Sequence, residues 1–427
     1  MQAQKSTVPR RCLLPRSLAA VLVMAAAGIA CADEPSPWYV GVSQALTHDS
    51  NVYRTPNRQS DTYSSTGLLG GFDQPVSRQR FYGTANVRYN KYNSQGTLDN
   101  TSYAVNAGWD WATIEKLSGT LGAYANQSLA GFDNNATVPL TTRNILKTDQ
   151  LSATGRWGGD GLLTLDASYA HSRVRYSAPE YLSSTSNGDS ASIGGSYRLG
   201  ADLRVGTAFR YTRTESPFAI AIVPAPTGPG DYQSNTSHGR NLDLTLSWAS
   251  TAQTSVNTRL SWTRQTNTGV SGRDFSGLTG SLAANYAPTA KLAFSVGASR
   301  DAGTYASFFN FPTTGTTTPI RGLSESSQTT DSYSLGANYA ATAKISLTAG
   351  LQYGHARLVD SFAVGAGTTT GERNDNTRSA TLGASWAIAR SVQLGCNVAH
   401  SSRSVSGANG FSYNDDTASC SAQFTLR

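Results

Sequence analysis

Residues 151–176 read LSATGRWGGDGLLTLDASYAHSRVRY, and they contain the unit from which the whole chain is built. Before the central GGDG, the odd positions are apolar or small and the even positions are polar or charged. After it, apolar and polar side chains alternate again. Side chains on a strand point to opposite faces with period two, and Gly-Asp turns supply the positive φ angles of tight hairpins. The stretch therefore predicts an antiparallel hairpin with one apolar and one polar face.

The same alternation recurs from about Trp38 to the C-terminus, and it predicts eighteen strands, with sixteen as the alternative count. Every second connection is short, as at 158–161 and 250–254, whereas those between are mostly long, as at 131–144. Short turns that alternate with long loops are typical of outer-membrane barrels. We therefore predict an all-β fold, a transmembrane antiparallel up-and-down β-barrel.

Composition favours this barrel over a soluble sandwich or a solenoid. Only 14% of the 427 residues are charged, although about a quarter is usual in a soluble protein. Beyond residue 32, no apolar run approaches the roughly 20 residues that a membrane helix needs. A barrel wall that faces lipid on one side and water on the other accounts for both observations.

Residues 1–32 are predicted to be a signal peptide, which leaves 33–427 as the barrel and places it in the outer membrane of a Gram-negative bacterium. A basic segment ends at Arg16, an apolar core covers 18–30, and 30–32 fit a small-residue cleavage site. A lipoprotein anchored at Cys31 and an uncleaved anchor are the alternatives. Cleavage lowers the formal charge of +7 by four, and no dense Lys/Arg stretch remains, so we expect no nucleic-acid partner.

Aromatic residues of the apolar face lie within a few residues of the short turns. They predict a girdle at one membrane interface, whereas cross-strand packing in a core is the alternative reading. The set is Trp109, Trp111, Trp157, Tyr197, Trp248, Tyr286, Tyr339 and Trp386.

Two cysteines follow the predicted signal peptide, and they are equidistant from Ala408 in a predicted turn. A simple hairpin places Cys396 and Cys420 opposite each other on one face, within reach of a bridge. We predict a disulfide between them. The alternative is two unpaired small residues on the lipid face.

The polar face carries a set of arginines that parity directs towards the lumen. Several lie near short turns, which predicts a basic collar at the periplasmic mouth that lowers the entry barrier for anions. The alternative is that Arg–Asp ladders only stiffen the wall. The predicted lining residues are Arg78, Arg80, Arg88, Arg156, Arg198, Arg204, Arg210 and Arg259.

Two long loops, 215–238 with four prolines and 304–327 with three phenylalanines, are predicted either to enter the lumen or to pack at the mouth. The prolines argue against a long strand in the first of them. The five histidines are scattered without the spacing of metal ligands, and no phosphate-binding loop is present. We therefore expect no enzyme activity, no metal and no cofactor.

The N-terminal half resembles the EpsL-type outer-membrane barrels of exosortase-associated exopolysaccharide operons, within the broader β-barrel porin group. The resemblance rests on DSNVYR at 49–54, SDT at 60–62, RQRF at 78–81 and LSGTL at 117–121, and it covers about 120 residues. It implies a role in moving exopolysaccharide across the outer membrane.

Three functions remain open on the sequence. The first is an exit channel for an exopolysaccharide, which would require outer-membrane lipid, the polymer, and periplasmic and inner-membrane export components as partners. The second is a general or anion-preferring diffusion porin for small solutes. The third is a non-conducting structural or adhesin-like barrel.

Overall fold

The computed structural model describes residues 36–132, 141–159, 161–221, 232–251, 253–268, 274–303, 327–364, 367–407 and 411–427. The predicted signal peptide lies outside these residues. The described strands, in chain order, are β1 Trp38–Asp49, β2 Asp61–Val76, β3 Gln79–Tyr92, β4 Asn100–Ala112, β5 Leu117–Leu129, β6 Ile145–Trp157, β7 Leu163–Tyr176, β8 Ser186–Leu199, β9 Leu203–Ala221, β10 Tyr232–Thr251, β11 Thr254–Asn267, β12 Phe275–Thr289, β13 Leu292–Gly303, β14 Ser327–Ala340, β15 Ile345–Val364, β16 Gly367–Ala389, β17 Val392–Gly407 and β18 Tyr413–Leu426.

The strands form one closed antiparallel sheet. Each strand pairs with the next along the chain, and β18 pairs back with β1, from Val40 opposite Leu426 to Asp49 opposite Thr417. Closure leaves no unpaired strand edge. The predicted up-and-down barrel of eighteen strands is confirmed, and the alternative count of sixteen is wrong.

The outer wall of the barrel is apolar and the inner wall is polar. On β1, Trp38, Val40, Val42 and Leu46 are half-exposed or more, and the apolar face of the other strands is exposed in the same way. A soluble protein would bury such residues, because covering them stabilises the fold by about 25 cal/mol per Å². On β1 the apolar outward residues end at Leu46, which marks the upper limit of its membrane-spanning part.

Tyrosine rings fill the space above two glycines of the inner wall. A Cβ on Gly108 would overlap the ring of Tyr82, and one on Gly71 would lie 2.7 Å from the ring of Tyr39. Each ring therefore lies over the backbone of the glycine on the neighbouring strand. A side chain larger than that of glycine would occupy the space of the ring. Such contacts pin the register of the strands around β1–β4.

Several strands are longer than the alternation predicts. Strand β9 continues through Pro217 to Ala221, so the prediction that prolines exclude a strand there is wrong. The register of β9 against β10 shifts between Ser216 and Ile220, and proline is tolerated at such a bulge because no ladder hydrogen bond is needed from it. Likewise β15 and β16 stay paired up to Val364 opposite Gly367, and β2 continues through Pro75, which is opposite Arg80.

Two short 3₁₀ turns, Gly96–Leu98 and Pro179–Ser184, are the helical elements of the described residues. No helix in these ranges is long and apolar enough to cross a membrane.

Candidate functional site: the lumen and its long-loop mouth

The strand register places most of the predicted arginines on the inner wall. Residues that face each other across a strand pair share a face. By this rule seven of the arginines lie on the inner face of the sheet, whereas the exposed apolar residues lie on the outer face. These arginines belong to β3, β6, β8, β9 and β11: Arg80, Arg88, Arg156, Arg198, Arg204, Arg210 and Arg259. Arg78 differs, because it lies in the turn between β2 and β3 and its Nη1 donates to the carbonyl of Thr113 at 2.8 Å.

Three of these arginines form ion pairs with aspartates on the inner wall. Arg80 donates Nε and Nη2 to Asp73 at 2.8 and 2.6 Å. The Arg156 Nε lies 2.6 Å from Oδ1 of Asp166. Arg210 binds both carboxylate oxygens of Asp243, at 2.9 and 3.2 Å. At these positions an aspartate balances the guanidinium charge. This agrees with the alternative prediction that Arg–Asp pairs stiffen the wall.

Arg198 and Arg204 form a different arrangement at the short-turn end. They are directly opposite each other on β8 and β9. Arg204 donates Nη1 to the hydroxyls of Thr164 and Ser196, at 2.7 and 3.2 Å, and forms no ion pair with a described carboxylate. Two adjacent guanidinium groups on the inner wall attract anions.

The opposite side of the lumen is lined by small uncharged groups. On β12–β18 the inward positions are mostly serine, threonine, asparagine, glutamine and glycine, with contacts such as Ser346 to Ser385 at 2.6 Å. Among the described side chains, charged inward residues on these strands occur only towards the long-loop end, at Asp301, Asp375, Arg403 and Asp415. Below that end, the described inner wall therefore carries arginines on β3–β11 and uncharged side chains on β12–β18.

At the long-loop end, the connection between β1 and β2 (residues 50–60) is packed rather than extended into solvent. Val52 and Tyr53 are buried against Leu98 and Phe132, which belong to two other connections. The rings of Tyr53 and Phe132 meet edge to face with centroids 5.0 Å apart, and the Tyr53 hydroxyl donates to Gln95 at 2.9 Å. Three connections thus share one small apolar core, which we call the mouth core.

A charged group anchors the same connection to β1 and β18, the two strands whose pairing closes the barrel. Arg54 lies 3.0 Å from Asp415 on β18 and 3.9 Å from Asp49 on β1. Asn51 donates Nδ2 to the carbonyls of Thr55 and Asn414. Asp49 lies beyond Leu46, outside the membrane-spanning part of β1. Burial, followed by the neighbouring Asp415, raises the pKa of its carboxyl to about 7.

Two further buried groups occur towards the same end. Tyr181 of the 3₁₀ turn Pro179–Ser184 stacks over Tyr176 with centroids 6.1 Å apart, in a cluster with Ala130 and Val174. Arg403 and Asp375 form a buried ion pair between β17 and β16.

Sequence reasoning placed the mouth elsewhere, in 215–238 and 304–327. Of these, 222–231 and 304–326 lie outside the described residues. The packing of residues 50–60 was missed because its apolar partners come from distant connections and show no periodicity. The one available signal was DSNVYR itself, which supported the resemblance but was given no structural role.

The cysteines are joined on the outer wall. Cys396 and Cys420 are opposite each other on β17 and β18, with an S–S distance of 2.14 Å. Cys420 is also opposite the exposed Leu46, so the disulfide lies on the apolar face. Within the described ranges, no three side chains of His, Cys, Asp or Glu are gathered as metal ligands.

No family model and no curated protein matches the chain. Among solved structures it is similar to OpdK, an outer-membrane protein from Pseudomonas aeruginosa, with 9% identity and a TM-score of 0.45 over 91% of this chain and 99% of that one. A double mutant of the ferric enterobactin receptor PfeA from Pseudomonas aeruginosa gives 12% identity and 0.44 over 92% and 81%. The siderophore receptor PirA from Acinetobacter baumannii gives 8% and 0.43 over 92% and 81%. The barrel assignment rests on the strand pairing itself.

Proposed function

We propose that this protein is an outer-membrane channel of a Gram-negative bacterium and that its cargo is an anionic exopolysaccharide leaving the cell. The observation that carries the proposal is the two-sided lumen, with inward arginines on β3–β11 facing a wall of hydroxyls and amides. The exposed apolar wall supports a membrane location, and short turns would then lie in the periplasm. Barrels of 16–18 strands are wide enough to hold water.

The chemistry of both walls suits an acidic sugar polymer. Guanidinium groups bind carboxylates through paired N–H donors, and Arg198 with Arg204 supplies such donors near the predicted point of entry. Tyr82 and Tyr124 also face inward, opposite Gly108 and Asn106, and aromatic rings pack on the apolar faces of sugar rings. Serine, threonine and asparagine on the other wall offer donors and acceptors for sugar hydroxyls. Periplasmic and inner-membrane components would deliver the polymer.

An anion-preferring diffusion porin is the second candidate, and the ion-paired arginines favour it. Arg80, Arg156 and Arg210 are neutralised by aspartates, as expected of a wall that tunes selectivity for small solutes without binding a polymer. The two candidates differ in how the current responds to polymer.

The test is single-channel conductance of the folded protein in a planar bilayer under a salt gradient. We expect anion-favouring current that alginate, an acidic polysaccharide, reduces from the short-turn side. Arg198→Gln with Arg204→Gln should move the reversal potential towards zero and weaken the block about tenfold, because one bidentate contact is lost. The matched control is Arg173→Gln, an exposed arginine on the outer wall of β7.

Each outcome selects one candidate. Current that is indifferent to alginate would select the diffusion porin, and absence of current from the folded barrel would select a closed, structural barrel. If Arg173→Gln changed the reversal potential and the alginate block as much as the double variant does, the lumen arginines would not be the cause of either effect.

A further inference from the structure

Two exposed arginines face each other on the outer wall of the barrel. Arg240 on β10 and Arg264 on β11 are directly opposite in the register, and both side chains are exposed. Like charges in this position destabilise a strand pair. Neither guanidinium forms an ion pair with a carboxylate of the described residues. An unmatched cation pair at such a site calls for an anion from outside the chain.

The height of this pair is set by the residues beneath it. The next outward positions, Leu242 and Trp262, are also opposite each other and are 60% and 59% exposed. One outward step along a strand is about 7 Å. If the exposed belt lies in hydrocarbon, as the proposed membrane location requires, the two guanidinium groups lie where lipid headgroups begin.

The neighbouring strand adds to the same surface. Tyr211 on β9 is opposite Arg240, and its hydroxyl lies 2.8 Å from Nδ1 of His238. Tyrosine is favoured at this level of a membrane. Arg213, opposite His238 on β10 and Asp189 on β8, is exposed and forms a long ion pair with Glu215, at 3.8 Å. We call Tyr211, Arg213, His238, Arg240 and Arg264 the outer patch.

Elsewhere on the outer wall, three basic side chains towards the long-loop end have a carboxylate within 3 Å. Arg175 lies 2.6 Å from Asp149, His171 lies 2.9 Å from Asp189, and His400 lies 2.6 Å from Asp416. The outer patch is different because its two facing arginines, Arg240 and Arg264, have no such carboxylate partner among the described residues.

We propose that the outer patch binds a phosphate group of a phosphorylated glycolipid in the outer leaflet. The two arginine forks are suited to one phosphate, which accepts paired N–H donors from each. The acyl chains of the same lipid would lie against Leu242 and Trp262. The proposal rests on the membrane location given under Proposed function, but not on the identity of the cargo.

The test uses the purified, folded full-length barrel in detergent, titrated with lipopolysaccharide that carries both lipid A phosphates and with its dephosphorylated form. Binding is read by native mass spectrometry. We expect the phosphorylated lipid to bind at least about tenfold more tightly than the dephosphorylated lipid. Arg240→Gln with Arg264→Gln should abolish that difference, whereas Arg175→Gln, whose arginine is already paired with Asp149, should keep it.

Three results would overturn the proposal: equal binding of the two lipids, unchanged binding by the double variant, or full competition by inorganic phosphate at equal concentration. The last would indicate a site for soluble anions. Heat-modifiable gel migration reports folding, and Arg240→Lys with Arg264→Lys, which keeps the charge and removes the forks, serves if the glutamine variant does not fold.

Bilayer conductance of the same variants separates the two proposals. A double variant that inserts and conducts normally but no longer discriminates the lipids supports the outer patch alone. Failure of the wild-type barrel to enter bilayers would count against the membrane location and the channel together.

Discussion

Asp49 and Asp415 place two carboxyl groups beside a single guanidinium, that of Arg54, at the long-loop end. Because burial and then Asp415 raise the pKa of Asp49 from 3.8 to about 7, the folded protein holds this proton more tightly than the unfolded chain. The resulting stabilisation is complete below pH 3.8 and is lost as the pH rises through 7. The connection 50–60 should therefore loosen in mildly alkaline solution.

The amide of Val52 reports this change, because it donates to the carbonyl of Gln59 at 2.9 Å within the connection and does not contact the Asp49 carboxyl. We expect its hydrogen-exchange protection, corrected for the intrinsic pH dependence, to fall about tenfold between pH 6 and pH 8. Asp49→Asn should flatten the profile, whereas Asp416→Asn, on the outer side of β18, should not. Identical profiles for all three proteins would contradict the assignment to Asp49.

At the scale of elements, the mouth core holds a connection that has little secondary structure of its own. Tyr53 is 4% exposed, and its replacement by alanine leaves a cavity among Leu98, Phe132 and Val52. Loss of a buried aromatic side chain costs about 3–5 kcal/mol. Because the strand pairing does not involve this ring, the substitution should destabilise the connection 50–60 and leave the barrel folded.

Tyr53→Ala should therefore make trypsin cleave after Arg54 and Arg58 much faster, while the barrel keeps its heat-modifiable migration. Tyr89→Ala is the matched control, because that ring is 50% exposed on the outer wall. If cleavage of Tyr53→Ala stayed at the wild-type rate, the mouth core would not be what holds the connection.

The elements also show what the sequence could and could not predict. A wall one strand thick contacts a different environment on each side, so period two survives along the whole chain and predicts the strands and the parity of residues such as Arg156 and Asp166. The mouth core could not be predicted, because Leu98 and Phe132 meet Tyr53 across long separations. The prediction at Pro217 was wrong because the residue lies at a bulge, where no ladder hydrogen bond is needed from proline.

At the scale of the whole molecule, the barrel closes where β1 and β18 pair along 10 residue pairs, from Val40 opposite Leu426 to Asp49 opposite Thr417. Ala45 and Ser421 are opposite each other across this seam on the inner face. In a Cys396→Ala, Cys420→Ala background, Ala45→Cys with Ser421→Cys should form a disulfide only in the folded barrel. A gel under non-reducing conditions would show it.

The mismatched pair Ala45→Cys with Gln423→Cys is the control, since Gln423 is opposite Ser43 instead. Efficient bridging of the mismatched pair, or none of the matched pair, would place the seam in another register.

The two-sided lumen has a consequence for how cargo would move. Below the long-loop end, the described inner wall has net positive charge on β3–β11 and uncharged side chains on β12–β18, which creates a field across the pore, perpendicular to its axis. A flexible polyanion would be drawn sideways onto β3–β11 and would slide along that wall instead of travelling down the middle. Small ions would still use the full cross-section. Conductance to chloride would therefore overstate the width that is open to a polymer, and transit time would grow with the number of acidic groups in contact with the wall.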